Sequence, residues 1–154
     1  MIEENSIFPH IRQIHNLLNF LFGEDLKKWG LTFSQAHVLK VLFDAGGQTT
    51  QKEIEKELGV SHPTVSGLIH RLEKNGFVIS RTDDKDRRNK IISITDHALR
   101  HRSEVMENRA KTDAVYLSGF SPEEIHELDR LLDRLYKNMF DYKERLGIVS
   151  NRQS

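Results

Sequence analysis

The chain has 154 residues, enough for one domain with a real core, and contains no cysteine. Disulfide frameworks, thiolate metal sites and thiol redox switches are therefore excluded. Formal net charge is zero with 23 cations and 23 anions, so a nucleic-acid partner must be sought in the distribution of charge rather than in its sum.

The acidic amino terminus, Met1 to Ser6, leads into a helix carrying Pro9, His10 and Arg12. It has no basic leader followed by an unbroken apolar run, so neither a signal peptide nor a membrane span is expected, and the reading is cytoplasmic. Ile7, Ile11, Ile14, Leu18 and Leu21 recur in steps of four and three, widened by Phe8, Leu17 and Phe22. That spacing predicts an amphipathic helix over about 6–28, with an apolar face broader than one neighbour needs. It fits a core helix or one that packs across a subunit boundary.

After Gly30, Thr32-Phe33-Ser34-Gln35 reads as a capping box that opens a helix through Ala36, Leu39, Leu42 and Phe43. Gly46-Gly47 ends it, and Thr50-Gln51-Lys52-Glu53 forms a second box ahead of a short helix with Ile54 and Leu58 inward. Gly59 is placed to take the left-handed conformation of a tight helix-to-helix turn. Ser61 is expected to cap the next helix, with Pro63 tolerated in its first turn.

On that helix Val65, Leu68, Ile69 and Leu72 share one face at helical spacing and must be core. The opposite face holds His62, Pro63, Ser66, Gly67, His70 and Arg71, with Thr64 at its edge and no acid before Glu73. A merely solvated helix more often mixes lysine with glutamate. Small residues let a helix enter the major groove, about 12 Å wide, where Ser, Thr, His and Arg meet base edges and phosphates.

Two β-like runs follow, Phe77 to Thr82 and Lys90 to Thr95, joined by the charged loop Asp83-Asp84-Lys85-Asp86-Arg87-Arg88-Asn89. Taken alone the loop is a solvated hairpin tip. Directly after such a helix it reads as a wing whose arginines suit the narrow minor groove. From Ser61 to Lys90 seven cations face four anions, whereas the chain beyond Pro122 is acidic.

Asp96 is expected to cap a long helix carried by Ala98, Leu99, Val105, Met106, Ala110, Ala114 and Leu117. Ser121-Pro122-Glu123-Glu124 is a third capping box. Ile125, Leu128, Leu132, Leu135, Met139, Tyr142 and Leu146 then repeat in threes and fours, a seam for helix-on-helix packing. The tail 148–154 is expected to fray.

Leu31-Thr32 with Gln35, the segment from Leu58 to Gly76, and the wing with Asp83, Asp86 and Arg88 together resemble the MarR family of bacterial winged helix-turn-helix regulators. The most specific part is Asp83 to Arg88 followed by Ile92-Ser93-Ile94-Thr95. The implied fold is mainly α with a small β-hairpin wing: a DNA-binding domain over 31–96, and long terminal helices over 1–30 and 97–147 for dimerisation. The resemblance also implies a homodimer on a pseudo-palindromic operator, a repressor relieved by a small aromatic or phenolic effector, with no cofactor.

By position, Ser61, His62, Thr64, Ser66, His70 and Arg71 are expected to touch bases or phosphates. Gln51 and Lys52 open the preceding helix, where they are placed to hold the phosphate backbone. Arg87 and Arg88 are the wing contacts, with Asp86 holding one of them in the family pattern; Arg81 and Lys90 steady phosphates from the wing strands. Glu55 stands where the family usually has alanine and is expected to reach outward past its stem. Asp96-His97-Ala98 lacks the glycine that commonly follows the second wing strand.

Three other readings compete. A metal-responsive regulator could use His97 and His101, four apart on a helix, with His37 approaching and Glu104 joining, but no cysteine or HExxH accompanies them. An enzyme finds no G-x-S-x-G and no phosphate-cradling glycine loop. A winged helix that contacts protein is disfavoured by the small polar face and the double-arginine wing. Phe8, Ile11, His15, Trp29, Phe33 and His37 are conceivable effector-lining residues, equally explicable as core.

Overall fold

The computed structural model of the chain describes residues 7–147; the acidic start and the tail 148–154 lie outside them. Six helices and three strands follow in order: α1 (Ile7–Lys28), α2 (Phe33–Asp44), β1 (Gln48–Thr50), α3 (Gln51–Leu58), α4 (His62–Lys74), β2 (Val78–Thr82), β3 (Lys90–Ile94), α5 (Asp96–Tyr116) and α6 (Pro122–Arg145). They form two compact units that divide between Thr95 and Asp96.

In the first unit α2, α3 and α4 pack on one another and on the sheet. The core is built from Leu39 and Leu42 of α2, Ile54 of α3 and Val65, Leu68, Ile69 and Leu72 of α4, as periodicity reads them, with Val38, which it did not single out, and Phe77, Val78 and Ile92 from the sheet; Ala36 and Phe43 are half-buried. The Thr32 box forms in full. The Gln35 N–H donates to Thr32 Oγ1 at 3.3 Å, and the Thr32 N–H donates to Gln35 Oε1 at 2.8 Å. At Thr50 only half of the expected box exists, the Glu53 N–H donating to Thr50 Oγ1.

The sheet is antiparallel in the order β1-β3-β2, with Thr49 opposite Ile92 and Ser80 opposite Ile92 on the other side. The expected two-stranded hairpin thus gains a third strand. Gly47 makes the joint: its φ is +100°, and its carbonyl accepts the Ile94 N–H at 2.9 Å. A Cβ there would come within 3.1 Å of Ile94 Cδ1, so both the conformation and the close approach favour glycine.

The second unit is α5 and α6. Asp96 stands inside the first turn of α5 rather than ahead of it as a cap. A carboxylate there still suits the positive end of the helix. The apolar face of α5 is thin, with Ala98 buried but Leu99 45% and Met106 60% exposed. The Ser121 box forms in full. No residue of α6 is buried. Among the described residues, no helix is long and apolar enough to cross a membrane.

Candidate nucleic-acid interface

Gly59, at φ +64°, turns the chain between α3 and α4, and its N–H is bonded to the Glu55 carbonyl at 2.9 Å. Val65, Leu68, Ile69 and Leu72 then pin one side of α4 into the core. That leaves Ser61, His62, Pro63, Thr64, His70 and Arg71 exposed, with Ser66 and Gly67 half-buried between them. Ser61 ends the turn in an extended conformation but makes no side-chain cap. Its hydroxyl pairs with that of Thr64 at 2.9 Å, so the two form one hydroxyl pair on the exposed face.

Most of the carboxylates near this face accept hydrogen bonds from within the fold; Asp84, in the wing loop, is exposed. Glu73 Oε1 accepts both the backbone N–H and the hydroxyl of Ser80 at 2.9 Å, tying the end of α4 to β2. In the wing loop, Asp83 accepts the Lys85 N–H and Asp86 the Arg88 N–H, each at 3.0 Å. The Asp83 N–H reaches the Asn89 carbonyl and the Asn89 N–H the Asp86 carbonyl, closing the loop. These are the short-range aspartate turns that compete with regular structure. They fix the backbone of the tip and leave Arg87 and Arg88 exposed. Arg81 and Lys90 are exposed on the two strands, Lys90 directly opposite Thr82. The result is a polar helix face followed by an internally hydrogen-bonded loop with two exposed guanidinium groups.

The family model described as "MarR family" matches residues 29–89, from the end of α1 to the wing tip. The HTH-type transcriptional regulator MgrA of Staphylococcus aureus is 30% identical over 140 residues, 91% of each chain. The chain belongs to the MarR family. It is a DNA-binding transcriptional regulator, as its MarR-family relatives are. YwoH of Bacillus subtilis, an uncharacterised HTH-type transcriptional regulator, is 36% identical over 118 residues, 77% of this chain and 85% of its own. Among solved structures, the S. aureus MepR–DNA complex is 25% identical with a TM-score of 0.67, covering 83% of this chain and 96% of that one. The YusO protein of B. subtilis is 27% identical with a TM-score of 0.69, covering 86% and 99%. MarR-family proteins are regulators rather than enzymes.

Within this MarR-family framework three expected roles change. Gln51 is only 4% exposed and does not face outward with Lys52; its amide reaches Ser66 Oγ at 3.0 Å and Glu55 Oε1 at 3.2 Å. Glu55 does not extend into solvent. Its carboxylate lies 2.6 Å from His62 Nδ1 and its side chain is 20% exposed. Asp86 holds Arg88 through its backbone N–H rather than its guanidinium, and also receives the Asn89 amide at 3.4 Å. Gln51 and Glu55 are four residues apart, the helical neighbour spacing. That pairing was visible in the sequence; its docking on α4 was not.

Among the described residues, no three His, Cys, Asp or Glu side chains group so as to hold a metal ion. His101 is buried, and burial holds its imidazole below the ordinary range. His97 one turn back adds to that effect and Glu104 opposes it. The residues named for effector lining are not a buried set: Phe8, His15, Phe33 and His37 are exposed, Ile11 and Trp29 half-buried. Phe33 instead meets Phe22 edge-on at 5.4 Å.

Proposed function

We propose that this protein acts as a homodimeric repressor. Each copy lays α4 in a major groove and its wing in the adjoining minor groove of a pseudo-palindromic operator. Lys52, Ser61, His62, Thr64, Ser66, His70 and Arg71 contact bases or phosphates, Arg87 and Arg88 enter the minor groove, and Arg81 and Lys90 steady the backbone. The winged helix occupies residues 31–96, while 1–30 and 97–147 serve dimerisation. Repression is relieved by a small aromatic or phenolic effector, and the protein works in the cytoplasm, where its operator is. The observation that supports this reading is the electrostatic one: along α4 and the wing, Glu55, Glu73, Asp83 and Asp86 are engaged internally, leaving Asp84, among the described residues, as the one exposed wing aspartate without such a bond, while Arg71, Arg87 and Arg88 are exposed.

The test is a salt titration of operator binding by fluorescence anisotropy. Arg71→Ala and Arg88→Ala are each expected to weaken binding and to lower the salt slope by about one, the signature of a lost phosphate contact. Wild-type affinity and slope in both variants would count against the docking.

Gly67 gives a second test, in which stability and binding move in opposite directions. No heavy atom lies within 4 Å of a Cβ built on it. Gly67→Ala is therefore expected to stabilise the free protein by about 0.5–1 kcal/mol, the ordinary gain from replacing a mid-helix glycine. Against DNA the added methyl stands on the groove face of α4, and operator affinity is expected to fall. Urea unfolding and anisotropy on the same variant check both signs; a stabilised variant that binds normally would place Gly67 away from the groove.

A further inference from the structure

His62 is tied through its ring to the helix behind it. Its Nδ1 lies 2.6 Å from Glu55 Oε1. An ionised carboxylate has no hydrogen to give, so Nδ1 must be the donor. Gln51 Nε2 stands 3.2 Å from Glu55 Oε1, 3.0 Å from Ser66 Oγ and 3.2 Å from the same His62 Nδ1. An amide nitrogen has two hydrogens, which Glu55 and Ser66 take up. The approach to Nδ1, a nitrogen already bearing hydrogen, is then a near contact only.

The hydrogen bond at one ring nitrogen decides the state of the other. A neutral His62 so arranged carries its proton on Nδ1 and a lone pair on Nε2. The side chain is 71% exposed while that of Glu55 is 20% exposed, so the ring edge away from Glu55 is the one that solvent or a ligand meets. We propose that Glu55 and Gln51 preset His62 as a hydrogen-bond acceptor on the outer face of α4. In that state it selects a base-edge amino group, adenine N6 or cytosine N4, the two major-groove donors. Phosphate oxygens and guanine O6 and N7 offer no hydrogen and are poor partners for that nitrogen. The inference rests on α4 being the groove helix. It makes His62 a specificity residue, Glu55 and Gln51 its positioning residues.

The experiment is selection of full-length protein on randomised duplexes at about pH 8, above the ordinary histidine range, for wild type, His62→Ala, Glu55→Ala and Arg71→Ala. Wild type is expected to prefer adenine or cytosine at one position of each half-site by about fivefold or more, the smaller end of a single-position effect. His62→Ala, altering an exposed side chain, levels that position and leaves the others. Glu55→Ala frees the ring to carry its proton on Nε2 and moves the same position toward guanine or thymine. If every variant keeps the wild-type preference while Arg71→Ala still weakens binding, the cluster merely fastens α3 to α4 and the proposal is overturned. If Arg71→Ala binds as wild type does, the groove-helix reading fails, and the proposal with it. Should Glu55→Ala fold poorly, Glu55→Gln supplies the same reading, because its amide can donate to Nδ1 and reverse the ring's pattern.

Discussion

Replacing both Leu132 and Met139 with glutamate is expected to turn the proposed dimer into a monomer at micromolar concentration and to weaken operator binding by about a thousandfold. The reason is the state of α6 in a single chain. It is a 24-residue helix without one buried residue, yet Leu128, Leu132, Met139, Tyr142 and Leu146 are 39%, 48%, 56%, 59% and 51% exposed. With Leu135 they step along the helix in fours and threes, the pattern of a packing seam. A monomer rarely leaves so long a contiguous apolar stripe in water. The polar side of the same helix is satisfied by local pairs, Arg130 with Glu127 at 2.6 Å and Lys137 with Asp133 at 2.8 Å. Such exposed pairs contribute little to stability, but they mark which side is meant for solvent. In a two-fold dimer each substitution acts twice, so four carboxylates would enter the seam, each in place of a side chain whose burial is worth about 1.5–3 kcal/mol. Losing the second half-site removes an avidity of about 10²–10⁴. Sedimentation would show the change of mass and anisotropy the loss of binding. Because neither side chain is buried in the single chain, the unfolding midpoint of the winged-helix unit should hardly move. A variant that sediments as a dimer would refute the assignment of this face.

How much of this was legible in the sequence depends on whether the cause was local. The apolar face of α4, most of that of α2 and the capping boxes at Thr32 and Ser121 are written within a few residues, and they form. β1 is different. Gln48-Thr49-Thr50 has no apolar alternation of its own and becomes a strand only because Ile91, Ile92 and Ser93 lie opposite, more than 40 residues on. Glu55 and Gln51 fail as local readings for the same reason. The first positions of a short helix are usually solvated, and nothing within α3 tells that α4 will lay His62 and Ser66 against them. Ser61 shows a smaller version: an extended serine ahead of a helix suits a cap, but Thr64 competes for its hydroxyl. In the wing Asp86 does hold Arg88, yet the partner is its backbone N–H, which a residue pattern does not distinguish from a guanidinium. The candidate contact face was therefore readable, and the support beneath it was not.

That support leads to the largest effect on stability. Ile54→Ala is expected to cost about 2–5 kcal/mol, the range for truncating a fully buried isoleucine. Ile54 is 0% exposed, and its helix has only eight residues. A helix that short has no stability of its own, since isolated helices below about 12–15 residues are marginal. α3 exists because it is packed on α2, α4 and the sheet, and Ile54 and Gln51 are its two buried residues. A loss of that size is a large part of the roughly 5–15 kcal/mol that holds a domain together. Ile79 provides the control, an isoleucine on β2 that is 59% exposed; Ile79→Ala should change stability by no more than about 0.5 kcal/mol. Urea denaturation of the two variants would separate them. Binding adds a finer distinction. At a temperature where Ile54→Ala is still folded, loosening α3 also loosens Gln51 and Glu55, which brace Ser66 and His62 from behind. Operator affinity should then fall even after correction for the folded fraction, whereas Ile79→Ala should bind as wild type. Equal corrected affinities would mean that α4 keeps its side chains in place without α3, and that the polar cluster between the two helices is not what aims them.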